Sequence, residues 1–230
     1  MVIFKTASAA LAALMLLYLS SCVMIGEQTL RGTPARPTRP APGAASATAV
    51  RGKLAEGGRY VLGRKELVIR GRRFNMDCTG TVLAIYYYAG IDLTRNFNRY
   101  GGNGVNRLYK SLEAEQLLYD TELPLTGDII FWDNTYDRNR DGRWNDPLTH
   151  VGMVMSAGED GSIEYVHLNY RKGIIIENMN LRRPKVHEKL EKGRLRIVNS
   201  PIRMKQAGKE HPDRWLASQL YRSFGMGYLF

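Results

Sequence analysis

Apolar positions recur at helical spacing in the first half of the chain and form short strand-length blocks in the second. Residues 48–57 carry weak helical character. "KELVIRGRRF", 65–74, alternates apolar and charged residues around Arg70-Gly71 and predicts a hairpin. "CTGTVLAIYYYAG", 78–90, predicts a helix over 78–89 closed by Gly90. In "GVNRLYKSLEAEQLLY", 104–119, Val105, Leu108, Leu112 and Leu117 share one helical face. After Pro124 the spacing changes. Strands are predicted at 127–133, 150–156, 162–168, 172–181 and 193–199, and a closing helix at 212–224 with Pro212 near its start. Helices followed by hairpin-linked strands indicate an α+β domain, with helices packed on an antiparallel sheet of about five to six strands.

The chain begins with a different kind of segment. Residues 1–21 hold one charge, Lys5, and an apolar run of signal-peptide length ending in "LSSC". Leu19-Ser20-Ser21-Cys22 resembles the bacterial lipobox, in which the leader is cut before a cysteine that is then acylated. The expectation is a membrane-anchored lipoprotein of the cell envelope. Val23 after the cysteine points, by analogy with lipoprotein sorting, to the periplasmic side of the outer membrane. An uncleaved membrane anchor is the alternative. Residues 22–50 hold four of the nine prolines and many Ala, Thr and Ser, which predicts a disordered tether. Residues 51–230 suffice for one domain.

Loss of residues 1–21 would remove Lys5 and no acid, leaving 32 − 22 = +10. Such a charge favours polyanions. No nucleic-acid module or basic helix accompanies it, so an anionic envelope is the expected setting and nucleic acid is not an expected partner.

With Cys22 consumed by lipid, Cys78 is a lone thiol in an exported protein, where cysteines ordinarily pair. Asp77 stands at the N-cap of the predicted 78–89 helix, so Cys78 occupies a first turn that favours an anion. A buried inert residue is the other reading. A thiol nucleophile needs a base. Of four histidines, His187 and His211 lie in charged, loop-like surroundings, whereas His150 and His167 lie in consecutive strands. A four-residue loop at 157–160 sets His150 opposite His167; one at 158–161 sets it opposite Asn169. Both registers leave His150, His167 and Asn169 on one face, and only an odd loop or a bulge changes that.

"DCTG" (77–80), "GDIIFW" (127–132), "HVGMVMS" (150–156) and "YVHLN" (165–169) resemble, in order, the signatures of the NlpC-like cell-wall cysteine peptidases, which have a papain-like core. The match spans roughly residues 55–170. The resemblance implies hydrolysis of amide bonds in peptidoglycan stem peptides without a cofactor. Cys78 would be the nucleophile, His150 the base and His167 the orienting third member. Substrate contacts would come from Tyr60, Asp77 and Thr79. CHAP-type amidases are related and would use Asn169 as the third residue. The family's Trp-Gly-Gly turn upstream of the cysteine is replaced here by the 65–74 hairpin, the segment before His150 is longer, and the basic tail after residue 180 matches no family element.

Outside that resemblance, "DRNRDG" places Asp137, Asn139 and Asp141 at alternate positions before Gly142, like the first half of an EF-hand loop. Position twelve is Leu148 and not Glu, so Asp146, Asn145 or Asp133 would have to complete a structural calcium site. A polar turn bonded to its own backbone is the alternative. Two further readings of the whole chain are a non-catalytic envelope-binding module and a zinc site built from Cys78, His150 and His167.

Overall fold

The structure is a computed structural model that describes residues 44–204 and 212–230. Cys22, His211, the leader and the tether up to residue 43 lie outside the described residues. The described chain is α+β, with four helices and a mostly antiparallel six-stranded sheet.

Helix α1 (Ala44–Val61) begins inside the segment predicted as tether. The β1 (Leu67–Ile69) and β2 (Arg72–Phe74) hairpin turns at Arg70 and Gly71, both at positive φ, as a tight two-residue turn requires. Helix α2 (Cys78–Tyr88) is capped by Asp77, whose carboxylate accepts from the Gly80 amide at 2.6 Å. It closes at Gly90, φ 89°, where Gly90 donates to Tyr87 and Ile91 to Tyr86. With Val82, Ala84, Ile85 and Tyr86 fully buried, α2 is a core helix. Burial of Val82 and of Ile85 contributes about 1.5–3 kcal/mol each.

Helix α3 (Gly104–Ala114) stops short of the predicted 119. Gln116 takes the left-handed position, φ 54°, with Gln116 donating to Glu113 and Leu117 to Leu112. That motif usually uses glycine, so its absence hid the stop. Leu118–Tyr119 then form β3.

The main sheet runs β3, β10 (Tyr221–Gly225), β4 (Ile129–Trp132), β5 (His150–Ala157), β6 (Ser162–Asn169), β7 (Gly173–Asn180). The predicted closing helix is corrected: only α4 (Ala217–Leu220) is helical, and β10 inserts between β3 and β4. Its pairing with distant strands overrides local periodicity. The tail is therefore part of the domain's sheet. A separate hairpin, β8 (Glu188–Glu191) and β9 (Arg194–Ile197), precedes it; β8 is not among the predicted strands. Among the described residues, no helix is long and apolar enough to cross a membrane.

Candidate active site

Two structural devices bring the predicted residues together. The first is a compensated register. Ala157 pairs with Ile163 and Ser156 with Glu164, an offset that would put His150 and His167 on opposite faces. A bulge between Val154 and Ser156 shifts the ladder by one, and Met153 pairs with Val166. The odd connection and the bulge cancel, and the histidines share a face as diagonal neighbours. Gly152 sits between them. A Cβ there would lie 3.2 Å from the His167 Cβ, 3.1 Å from Trp132 and 2.9 Å from the Val166 carbonyl.

The second device seats the cysteine. The Asn75–Asp77 connection crosses the first turn of α2 so closely that a Cβ on Gly80 would lie 2.0 Å from the Asn75 carbonyl. This explains the glycine of "DCTG". Cys78 is half-buried and takes a backbone hydrogen bond from Val151, the residue after His150. Cys78, His150 and His167 line one cavity of about 300 Å³, together with Asp77, Tyr136 and Arg203.

His150 Nε2 lies 2.8 Å from His167 Nδ1, and His167 Nε2 lies 3.0 Å from Glu177 Oε2. His167 is 2% exposed and Glu177 6%. Burial pushes the Glu177 carboxyl up, but the bond from His167 and nearby Lys172, 3.3 Å away, outweigh it and hold it below the ordinary range. An ionised Glu177 only accepts, so His167 must carry its proton on Nε2. Its Nδ1 is then an acceptor, and His150 must donate from Nε2. That leaves His150 Nδ1 with the lone pair a base requires. Trp132 and Tyr165 pack the imidazoles, with ring centroids 5.7 Å from His150 and 5.1 Å from His167. Trp132 is itself tied to the Ala217 carbonyl at 2.9 Å.

Sequence reasoning missed Glu177. The signal was a lone acid inside "GIIIENMN". β7 pairs Ile175 with His167, so Glu177 falls on the face of His167.

The expected thiolate is not what the site holds at rest. Burial, and then the Asp77 carboxylate, push the Cys78 thiol up to about 11, against hydrogen bonds from Val151 and Thr79. Burial, and then the electrostatic effect of the adjoining His167 ring, drive His150 well below its ordinary value. The resting pair is thiol and neutral imidazole. Alkylation of Cys78 by iodoacetamide should therefore climb with pH towards about 11 instead of levelling off near neutrality. Asp77→Asn keeps the cap, removes the charge and should move that rise to lower pH; stopped alkylation read by mass spectrometry checks both.

Other expected residues fall elsewhere. Asn169 accepts from the Arg171 and Lys172 amides at 3.0 and 3.2 Å, closing the β6–β7 turn, and is not the partner of His150. Tyr60 stacks on Tyr88 and under Arg64, outside the cavity lining. Thr79 is buried against Gly104, outside the lining of that cavity, and hydrogen-bonds Cys78. His187 is not solvated: it bonds the Asn199 carbonyl at 2.8 Å and packs on Trp215.

The loop expected to hold calcium is closed by its own hydrogen bonds. Asp137 accepts from Gly142, Asn139 from Asp141, and Asp141 from Arg143 and Asn145. Asp146 is buried apart from that tip, bound to the Arg138 amide at 3.0 Å, and Asp133 pairs with Arg222. Among the described residues, no three His, Cys, Asp or Glu side chains converge as a metal-binding group. No protein-family model matches the chain, and no curated protein matches it significantly.

Proposed function

We propose that the protein is a cysteine peptidase or amidase of the NlpC-like type, with a papain-like core, that cuts amide bonds in peptidoglycan stem peptides. The observation that carries this reading is a cavity lined by Cys78, His150 and His167, with Glu177 bonded behind His167. A satisfied core histidine pair needs neither a cavity nor a neighbouring thiol.

In this mechanism the substrate carbonyl enters beside Cys78. The Sγ–H proton passes to His150 Nδ1 as sulfur bonds to the carbonyl carbon. Backbone N–H groups at the start of α2, the Cys78 amide first, hold the oxyanion. Tyr136 lines the same cavity, and burial keeps its phenol protonated, so it adds a donor. His150, now an imidazolium, donates through Nε2 to His167, backed by the Glu177 carboxylate. It then protonates the departing amine. Water, deprotonated by His150, cleaves the thioester and restores the thiol. No step needs a cofactor.

Facing ring nitrogens bonded to each other argue against the zinc reading, and the occupied side chain of Asn169 argues against a CHAP-type triad using it. The same proposal places the enzyme at the envelope, anchored through acylated Cys22, with stem peptides and the membrane as partners. Mass analysis of purified sacculi incubated with the protein tests the reaction. Fragments with new stem-peptide amino and carboxyl ends are expected, and a digest identical to the untreated sacculi would overturn the reading.

A further inference from the structure

The β8–β9 hairpin is arranged inside out. Lys189 and Arg196 sit opposite each other on one face and both pair with Glu191, at 3.2 and 3.1 Å. Leu190 pairs with Leu195 on the other face, beside Ile197, and these are 73%, 65% and 43% exposed. Lys189, Glu191 and Arg196 satisfy one another while the hairpin's apolar side chains meet solvent. Its base is held by His187, bonded to Asn199 and packed on Trp215, and by Asn199 donating to the Arg183 and Val186 carbonyls. The turn at Lys192 and Gly193, both at positive φ, is tight, so the leucine pair lies directly behind the tip. The face is fixed and presented outward.

Two observations select its occupant. Residues 182–197 hold seven Lys or Arg and two Glu, a net +5. Of these, Lys185, Lys192 and Arg194 are exposed and form no ion pair among the described residues. Arg194 lies on the charged face and Glu188 on the leucine face; apolar side chains beside a net-cationic tip are the chemistry of an anionic lipid surface. The second observation is reach. Residues 23–43 separate Cys22 from α1, a contour of at most roughly 75 Å. If Cys22 is acylated, the domain never leaves the neighbourhood of a bilayer, and even a weak surface contact is populated.

We propose that this hairpin docks the domain on the membrane. Leu190, Leu195 and Ile197 enter the headgroup layer of an anionic bilayer, and Lys185, Lys192 and Arg194 meet its phosphates. The contact would hold the domain in one orientation at the bilayer. The inference rests on the lipid-anchor reading of Cys22 and not on the hydrolase reading.

The test uses the chain from residue 22 carrying Cys22→Ser, so that no acyl chain contributes, sedimented with vesicles of phosphatidylglycerol and phosphatidylethanolamine or of phosphatidylcholine alone. Binding to the anionic vesicles only, lost in high salt, is expected. Leu190→Ser with Leu195→Ser should weaken it at least about tenfold, as should Lys192→Glu with Arg194→Glu. Both leucines are exposed, so an unchanged melting curve verifies the fold. No binding by the parent chain, or equal binding by the leucine variant, overturns the proposal. So does a parent dimer that the leucine variant breaks, since the face would then belong to a second copy. Stem-peptide cleavage by the leucine variant should equal the parent's. Failure of the hydrolase reading would remove that activity from both while leaving the vesicle result intact.

Discussion

Cys78→Ala should bring release of stem-peptide fragments from sacculi down by about 10⁵-fold or more, to the level without enzyme. Removal of the nucleophile from a hydrolase triad leaves only the binding groups and oxyanion donors. The loss would be chemical and not structural. Asp77 caps α2 through its own carboxylate, alanine is a good helix former, and Cys78 is only half-buried. A melting temperature within a few degrees of the parent's, alongside absent turnover, is the expected pair of readings. Turnover that survived would place the chemistry elsewhere in the molecule.

The relay behind His150 should produce the second largest effect. His167→Ala removes the acceptor that fixes the His150 proton on Nε2, and a fall in kcat approaching about 10⁴-fold is expected, the loss seen when a triad histidine is held in the wrong tautomer. Glu177→Ala acts one bond further out and should cost about 10- to 100-fold. Glu177→Gln should lose less than Glu177→Ala, because its amide oxygen can still accept from His167 Nε2. In each case KM should change little, since neither side chain is assigned a substrate contact. The pH profile separates positioning from simple unfolding. Loss of the Glu177 carboxylate withdraws support from the imidazolium, so the acid limb of kcat should move to lower pH. A variant that merely unfolds would lose activity without moving that limb.

Cys78, His150 and His167 could be singled out from a capping aspartate before an apolar helix and from two consecutive strands. The histidines nevertheless share a face through an odd connection and a bulge, and not through the even turn expected. Glu177 could not be singled out. Its meeting with His167 depends on the β6–β7 register, and the meeting of His167 with His150 depends further on a bulge at β5 that no residue type announces. The helical ending of the chain was misread for a related reason. Tyr221–Gly225 owe their strand conformation to β3 and β4, about a hundred residues earlier in sequence, and to nothing in their own spacing. The thiol's protonation state was misjudged from one favourable element, the helix start, when burial and the capping carboxylate both oppose it. Asp77 thus caps the helix that carries Cys78 and, together with burial, also keeps its thiol protonated.

The most direct measurement is the mass of the intact protein mixed rapidly with a synthetic stem peptide and quenched in acid. A transient species heavier by the acyl half of the peptide, mapped to Cys78 and absent from Cys78→Ala, is the expected result. Cleavage that proceeds with no such adduct, or an adduct on any other residue, would contradict the assignment of Cys78 as nucleophile.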